Sequence, residues 1–377
     1  MRVAQVVASY HPVRGGVETH VRRVAEGLAS AGDEVTVLTH QTGGLPAEEA
    51  VGAVRVLRFP LTVNLLNYPL SLPLFGYLRA HASDFDIVHA HSYHTLVGQA
   101  AIRTGPPFVF TAHYHGTGHT RLRALLHRLY RPAGGRLLAA ADAVICHSAA
   151  ERDLVTGDFP GTKGKVRVIP AGTDPRPAGA PRQRSARGVA PAERVVLAVS
   201  RLERYKHVDL IITACRALGT EVTLVVVGDG PDRPRLERLA SETGSGGGGS
   251  VRFTGRISDA ELGELLTVAA VVASASEHEA FGLIVADGLA AGARVVASAI
   301  PAHREVGRLA GADAPIWYVD PANTGEFAAA LAAALALGRP SAGRVRLPSW
   351  GDVVGQVREL YGEVAPHDRG AGRRETA

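Results

Sequence analysis

The sequence predicts an α/β protein made of two doubly wound parallel-sheet domains. Three observations carry that expectation. At 377 residues the chain is long for one domain, and two of ordinary size are its natural division. Short β-branched runs alternate with amphipathic helical stretches, the pattern of parallel strands joined by crossover helices. A Pro/Arg/Ala-rich stretch from Gly172 to Glu193 loses all periodicity and splits the alternation into two series.

In the first series, strands are expected at Val3–Ala8, Glu34–Leu38, Val54–Phe59, Ile87–Ala90, Phe108–Thr111, Ala143–Cys146 and Val166–Ile169. Helical patterns such as Val17–Ser30 and Leu96–Arg103 lie between them. The second series starts at Val195–Val199. It continues with Val222–Val227, Val251–Thr254, Ala270–Ala273, Arg294–Ala297 and Ile316–Val319. Gly244 to Ser250 reads as a flexible surface loop, Trp350 to Val364 as a final amphipathic helix, and the last dozen residues as disordered. The domain scheme is therefore 1–173, a linker at 174–192, a second domain at 193–345, a helix at 346–365 and a tail at 366–377. In open parallel sheets ligands gather at the carboxyl ends of strands, so the site is expected in a cleft between the two domains.

Composition excludes several classes of function. Apolar residues make up 46%, enough for two cores, yet no apolar run approaches a membrane span. The start, Met1-Arg-Val-Ala-Gln5, is too polar and too short for a signal peptide. Cys146 and Cys215 each sit in an apolar segment and read as reduced core residues of a cytoplasmic protein. The net charge is +5, much of it in Arg182–Arg187 and Arg369–Arg374, and aromatics are 5%. No basic-aromatic interleaving supports nucleic-acid binding.

One passage is the most informative. An apolar run ends in Ser274-Ala-Ser-Glu-His-Glu279-Ala-Phe-Gly282, and an Ala/Leu-rich helical stretch follows up to Gly292. A helix start offers N–H groups and a partial positive charge, a seat for phosphate. Phosphate has no use for Glu279, whose carboxylate accepts hydrogen bonds from hydroxyls. The passage therefore points to a sugar phosphate or nucleotide sugar.

Other strand ends are weighed against simpler readings. Gly15-Gly16 lies between the first strand and first helix, where it lets a ligand approach the backbone or simply makes a tight turn. Arg201, Arg204, Lys206 and His207 follow the first strand of the second domain as an anion clamp or a solvated basic loop. His113, with His115 and His119, follows another strand end and is suited to bind a hydroxyl or relay a proton. Together with His89, His91 and His94 these histidines raise the question of zinc. They lack acidic or thiolate partners at ligand spacing, and the expectation is no metal. Arg121 to Arg131 forms a basic amphipathic pattern with Leu122, Leu125, Leu126 and Leu129 on one face. Core leucines under solvated arginines are the commoner meaning of such a pattern, and a peripheral membrane contact is the alternative.

Taken in order, these passages resemble the retaining glycosyltransferases of family 4, which have the GT-B fold. The matching stretches are Gly15-Gly16-Val17-Glu18, Thr111-Ala-His113, Val168-Ile-Pro-Ala-Gly172-Thr-Asp174, Ser200-Arg201-Leu202, Gly228-Asp-Gly230-Pro231, Phe253-Thr-Gly255 and Glu279 through Gly292. The resemblance implies two Rossmann-like domains with a nucleotide sugar between them, held mainly by the second, and a final helix that crosses back to the first. It implies candidate catalytic residues His113, Glu279, Arg201 and Lys206. It implies a donor site of Gly15, Gly16, Arg201, Lys206, Gly255, Ile257, Glu279, Phe281, Gly282, Leu283, Ile284 and Asp287. In that scheme Arg201 and Lys206 neutralise the diphosphate, and Gly16 with the Phe281–Leu283 backbone completes its cradle. Ile257 meets the base, Glu279 holds sugar hydroxyls, and His113 faces the sugar from the other domain.

Two positions depart from the family pattern. Asp287 stands where the family has a second Glu, about 1.5 Å shorter in reach, which alters the grip on the ribose. Ile300-Pro-Ala-His303-Arg-Glu305 replaces the family's Pro-Glu passage.

The implied activity is transfer of a hexose from a nucleoside diphosphate sugar, by family habit a UDP-sugar, to a hydroxyl of a small-molecule or lipid-linked acceptor. It proceeds with retention of configuration and without metal or cofactor. The Ala/Arg/Gly-rich composition suggests a GC-rich genome, with natural product biosynthesis as the setting. A nucleotide-sugar epimerase of the same fold and a non-catalytic nucleotide-sugar-binding protein are the alternatives. Incubation with the donor alone distinguishes the first, and nucleotide binding without turnover on any acceptor the second.

Overall fold

The computed structural model describes residues 1–65, 68–116, 121–174, 194–242, 250–320, 323–337 and 345–365. The expectations for the linker, the Gly-rich loop at 244–249, His119 and the tail at 366–377 lie outside these described residues. The chain divides into two compact units, Met1–Ala171 with Trp350–Ala377, and Gly172–Ser349.

In the first unit the strands are β1 (Arg2–Val6), β2 (Glu34–His40), β3 (Glu48–Val51), β4 (Val54–Phe59), β5 (Val63–Leu65), β6 (Tyr68–Leu70), β7 (Ile87–His91), β8 (Phe108–Thr111), β9 (Ala143–Cys146) and β10 (Val166–Val168). Eight of them form one sheet in the order β10-β9-β8-β7-β1-β2-β4-β3. All pairs are parallel except β3 with β4, and β5 and β6 form a separate hairpin. The helices are α1 (Gly16–Ser30), α2 (Leu72–His81), α3 (Arg121–Ala140) and α4 (Ala149–Asp158). The segment expected as a helix at Leu96–Arg103 is instead a 3₁₀ turn, Val97–Ala101. Its glycine and short apolar run give too few turns for an α-helix to nucleate.

Alternate strand residues serve opposite faces of this sheet. Ala4, Val88, Phe110 and Val144 join one apolar cluster, and Val3, Ile87, Val109 and Ile145 join the other. Both faces are therefore covered, as a parallel sheet requires.

The second unit contains β11 (Arg194–Val199), β12 (Val222–Val227), β13 (Ser250–Gly255), β14 (Val271–Ser274), β15 (Arg294–Ser298) and β16 (Ile316–Val319). They form an all-parallel sheet in the order β13-β12-β11-β14-β15-β16. Its helices are α5 (Val208–Ala217), α6 (Arg233–Glu242), α7 (Asp259–Val268), α8 (Leu283–Ala290), α9 (Pro301–Ala310) and α10 (Thr324–Ala336). One cluster joins Val196, Leu224, Val271 and Val296 to Ile211, Ile212, Phe327 and Leu331. The strand order reverses between β11 and β14, the switch point at which such sheets place ligands.

The chain then returns to the first unit as α11 (Trp350–Val364). Val353, Val354, Val357, Leu360 and Tyr361 of α11 are buried there, and the missing side chain of Gly27 on α1 makes room for Val354. Tyr361 accepts a hydrogen bond from Gln5 Nε2 at 2.9 Å and meets His89 Nδ1 at 2.7 Å. This buried link between the ends of the sequence fixes α11 on the first sheet.

The reading of the α3 leucines as core is corrected by the structure. Leu125 and Leu129 are 54% and 72% exposed, and the inward face is made by His127, Gly134, Leu137 and Leu138. Gly134 lies against Tyr93, a close approach that turns the leucine stripe outward. Leu126 is half-buried, and Leu122 lies outside the described side chains.

Candidate active site

In the second unit the loops after β11, β12 and β13 are stitched together by their backbones. Ser200 N–H donates to Val227 O at 3.1 Å, Leu202 N–H to Asp229 O at 3.0 Å, and Gly228 N–H to Gly255 O at 2.9 Å. Gly228 has φ +124°, and a side chain there would strike Ser200 O. A side chain on Gly230 would likewise strike Leu202 O. Only glycine permits these approaches, which explains the Gly-Asp-Gly passage physically.

The basic loop is clasped to the acidic loop after β14. Lys206 Nζ lies 2.6 Å from Glu279 Oε1, with side chains 12% and 21% exposed. His207 Nε2 lies 2.8 Å from Glu277, and Glu277 N–H donates to Tyr205 O at 3.0 Å. Burial alone would raise the Glu279 carboxyl. Lys206 at hydrogen-bond distance and nearby His303 instead hold it below the usual carboxylate range. Burial acts on Lys206 in the opposite sense, and Glu279 outweighs it and raises the ammonium. The pair is therefore charged at neutral pH. Arg201 meets Glu203 at 3.2 Å but is 66% exposed, so its guanidinium remains available to an anion.

Three residues after Glu279 comes the start of α8. Gly282 is its N-cap with φ +98° and no side-chain cap. Helix geometry gives the N–H groups of Gly282, Leu283 and Ile284 no carbonyl within the helix. Phe281 is buried beneath this turn, and Ile257 is buried after Gly255, whose φ is +69°. Asp287 lies one turn along α8 and is half-buried. Arg201, Lys206, Glu279 and the Phe281–Ile284 turn thus gather at the carboxyl end of one sheet.

His303 is the residue that sequence reasoning flagged only as a departure. It is fully buried behind Gly282, where a side chain on Gly282 would come within 2.8 Å of the ring. Its Nδ1 lies 3.0 Å from Ser298 O, a carbonyl, so Nδ1 carries the proton. Burial lowers the imidazole pKa, and nearby Glu279 only partly offsets that.

The first unit presents a different set. His113 follows β8 with φ +46° and is 6% exposed. Its ring lies 4.7 Å from that of His147 after β9 and 5.5 Å from that of His20 on α1. The His20 and His147 rings are 4.5 Å apart, and His91 lies 5.9 Å from His20. Burial drives His20, His91 and His113 well below the ordinary imidazole value, with neighbouring imidazoles adding to the effect. His147 falls to about 4 and His89 to about 3, chiefly by burial. These groups are neutral near pH 7. Among the described residues, no group of three His, Cys, Asp or Glu side chains is arranged to hold a metal ion.

Gly15 is the extended N-cap of α1, with Glu18 in the first turn against it, and Gly16 opens the helix. Ser9 Oγ donates to Glu18. Gly15, Gly16 and His113 thus share the carboxyl edge of the first sheet. His20 and His147 were missed as partners of His113, and His91 was grouped with it only in weighing zinc. The one available signal was that each lies on or beside a strand end or the first helix.

Comparisons with known proteins agree with this architecture. The profile described as Glycosyltransferase Family 4 matches residues 14–176, and that of Glycosyl transferases group 1 matches residues 180–344. A D-inositol 3-phosphate glycosyltransferase of Actinosynnema mirum is 32% identical over 323 residues, 76% of this chain and 76% of that protein. A GDP-mannose-dependent alpha-(1-6)-phosphatidylinositol dimannoside mannosyltransferase of Mycobacterium tuberculosis is 30% identical, covering 81% of each. The sucrose-phosphate synthase structure from Thermosynechococcus elongatus superposes with a TM-score of 0.77 at 24% identity, covering 96% of this chain and 98% of that one. Anabaena HepE in complex with UDP and glucose gives 0.73 at 19% identity, covering 96% and 99%. Matching profiles along both units, relatives at this identity and a shared GT-B fold lead to one conclusion: the chain belongs to glycosyltransferase family 4.

Proposed function

We infer that this glycosyltransferase moves a hexose from a nucleoside diphosphate sugar, a UDP-sugar, to a hydroxyl of a small-molecule or lipid-linked acceptor. Configuration is retained and no metal takes part. The observation that carries the reading is the Lys206–Glu279 pair next to the α8 start, which has no side-chain cap. A cation and backbone N–H groups beside a carboxylate suited to sugar hydroxyls support a diphosphate-sugar site there.

In the reaction the bond from the anomeric carbon to the β-phosphate oxygen breaks and a bond to the acceptor oxygen forms. The acceptor's proton passes to the departing phosphate. Arg201, Lys206 and the α8 N–H groups stabilise the charge that grows on that phosphate. Glu279, kept ionised by Lys206, accepts hydroxyls of the sugar. His113, neutral and buried, is read as a group that binds a reacting hydroxyl, and Asp287 as the ribose contact.

Calorimetric titration with UDP, GDP and ADP, without metal, tests the donor assignment. Tight binding of UDP, lost in Arg201→Ala, is the expected result. Binding of GDP alone would favour the second reading, a GDP-mannose donor, to which the names of several relatives point. No binding of any diphosphate would overturn the donor site. Hydrolysis or epimerisation of donor without acceptor would replace transfer with the epimerase reading.

The exposed face of α3 supports a peripheral membrane contact and hence a lipid-linked acceptor. The helix sequence carries five arginines and no acid, and Leu125 and Leu129 are exposed beside Arg128. No described helix is long and apolar enough to cross a membrane. Co-sedimentation with phosphatidylglycerol vesicles, lost on Leu125→Ser with Leu129→Ser, is expected. Absence of vesicle binding would remove this part of the reading.

A further inference from the structure

Among the described residues Glu151 is the one fully buried acid bonded to the loops of the imidazole cluster, and its contacts are unusual for its place. Ser148 caps α4 and its Oγ accepts the Glu151 N–H at 3.0 Å. A glutamate three residues after such a serine ordinarily reaches back to the N-cap N–H and closes a capping box. In α7 that happens, with Ser258 and Glu261 paired reciprocally. In α4 the carboxylate is used differently. One oxygen accepts the Tyr114 N–H at 2.6 Å, and the other accepts the His147 N–H at 2.5 Å.

Those two amides belong to the loops after β8 and β9, which carry His113 and His147. Ala112 N–H is held by Ile145 O at 3.0 Å, and Tyr114 N–H by Glu151. His113 sits between these two fixed peptides in a left-handed conformation, which costs a non-glycine residue of order 1 kcal/mol or more. Such a conformation persists only where its surroundings impose it. Glu151 supplies the second of the two anchors that impose it.

We propose that Glu151 is a positioning residue of the glycosyltransferase: its carboxylate, one oxygen to each loop, sets the His113 imidazole for the hydroxyl it binds. The proposal rests on the role assigned to His113 above. Burial pushes the Glu151 carboxyl up to about 7, while the two N–H donors pull against that shift.

A double-mutant cycle tests it. Glu151→Gln keeps the side-chain volume but presents only one acceptor to two N–H donors. Turnover should fall about tenfold or more, while the affinity for the donor nucleotide, bound by the second unit, stays within about twofold. Combined with His113→Ala, Glu151→Gln should add no further loss, because both act through one imidazole. Wild-type turnover in a folded Glu151→Gln protein, or losses that multiply in the double variant, would overturn the proposal. Should Glu151→Gln fail to fold, hydrogen exchange in the wild-type protein decides. The Tyr114 and His147 amides should exchange as slowly as the buried strand amides, and rapid exchange at either would overturn the clamp. Full turnover in His113→Ala would instead overturn the role of His113 and leave the exchange result standing.

Discussion

The carboxyl edges of the two sheets are built alike and charged differently. Each offers loops after parallel strands and the start of a helix opened by glycine, Gly15 in the first unit and Gly282 in the second. The first edge carries His20, His91, His113 and His147 packed ring against ring, buried and neutral. The second carries Arg201, Lys206 and Glu279, charged and partly in water. The backbone scheme is common to both, so side chains alone make one edge neutral and the other charged, the difference on which the proposed hydroxyl and diphosphate sites rest. Charge in the second edge survives because each buried charge keeps a partner. Among the described residues no carboxylate pairs with the His20, His91, His113 or His147 ring, and burial removes their charge.

The largest effect should come from breaking the charged edge. Glu279→Ala is expected to lower turnover by about 10²- to 10³-fold with little change in the unfolding midpoint. Equal turnover in steady-state assays would remove Glu279 from the site. Arg201→Ala, at an exposed position, should weaken diphosphate binding by about tenfold to a hundredfold without loss of stability. Rising salt should weaken the same binding in the wild-type protein. Insensitivity to salt would place the diphosphate elsewhere.

Gly282→Ala forces a side chain into φ +98° and against the His303 ring. It should cost about 1–3 kcal/mol of stability and weaken nucleotide binding, as read by denaturant unfolding and calorimetry.

The neutral edge should reveal itself in acid. A histidine whose folded pKa is lowered binds fewer protons folded than unfolded between that value and about 6.5. Stability therefore falls as the pH drops from about 6.5 toward the values near 4 and 3 of His147 and His89. Glu151, raised to about 7, works in the opposite direction between that value and its ordinary one. A falling thermal midpoint across this window, flattened in His147→Asn, is the expected record. A midpoint independent of pH would mean that the imidazoles reach water.

The smallest effect concerns the two Ser-x-x-Glu starts. Ser258→Ala should cost about 1 kcal/mol and leave turnover unchanged, because the Ser258 and Glu261 side chains bond each other and the first turn of α7. A loss of turnover there would erase the contrast with α4.

Much of this molecule was legible in its sequence. The strands at Val222–Val227 and Phe108–Thr111 were readable as β-branched or aromatic runs because both faces of a parallel sheet are buried. Gly228, Gly230 and Gly282 marked close approaches and positive φ angles that only glycine accepts. The α3 leucines were not legible, because an amphipathic stripe does not say which side meets the core. There His127 and Gly134 face inward, and Leu125 and Leu129 face out.

Local pattern by itself determined the alternating elements, the place where the first series ends, and the chemistry of the acidic and basic loops. These depend on residues within a turn or a strand of one another, where periodicity and backbone sterics act. Tertiary structure alone decided that Lys206 meets Glu279, that His20, His113 and His147 share one dry cluster, and that Tyr361 bonds Gln5. It also decided that Glu151, at capping-box spacing from Ser148, bonds two neighbouring loops. The serine-glutamate spacing is the same at α4 and α7. What differs is burial, which deprives the Tyr114 and His147 amides of water and makes the carboxylate their acceptor.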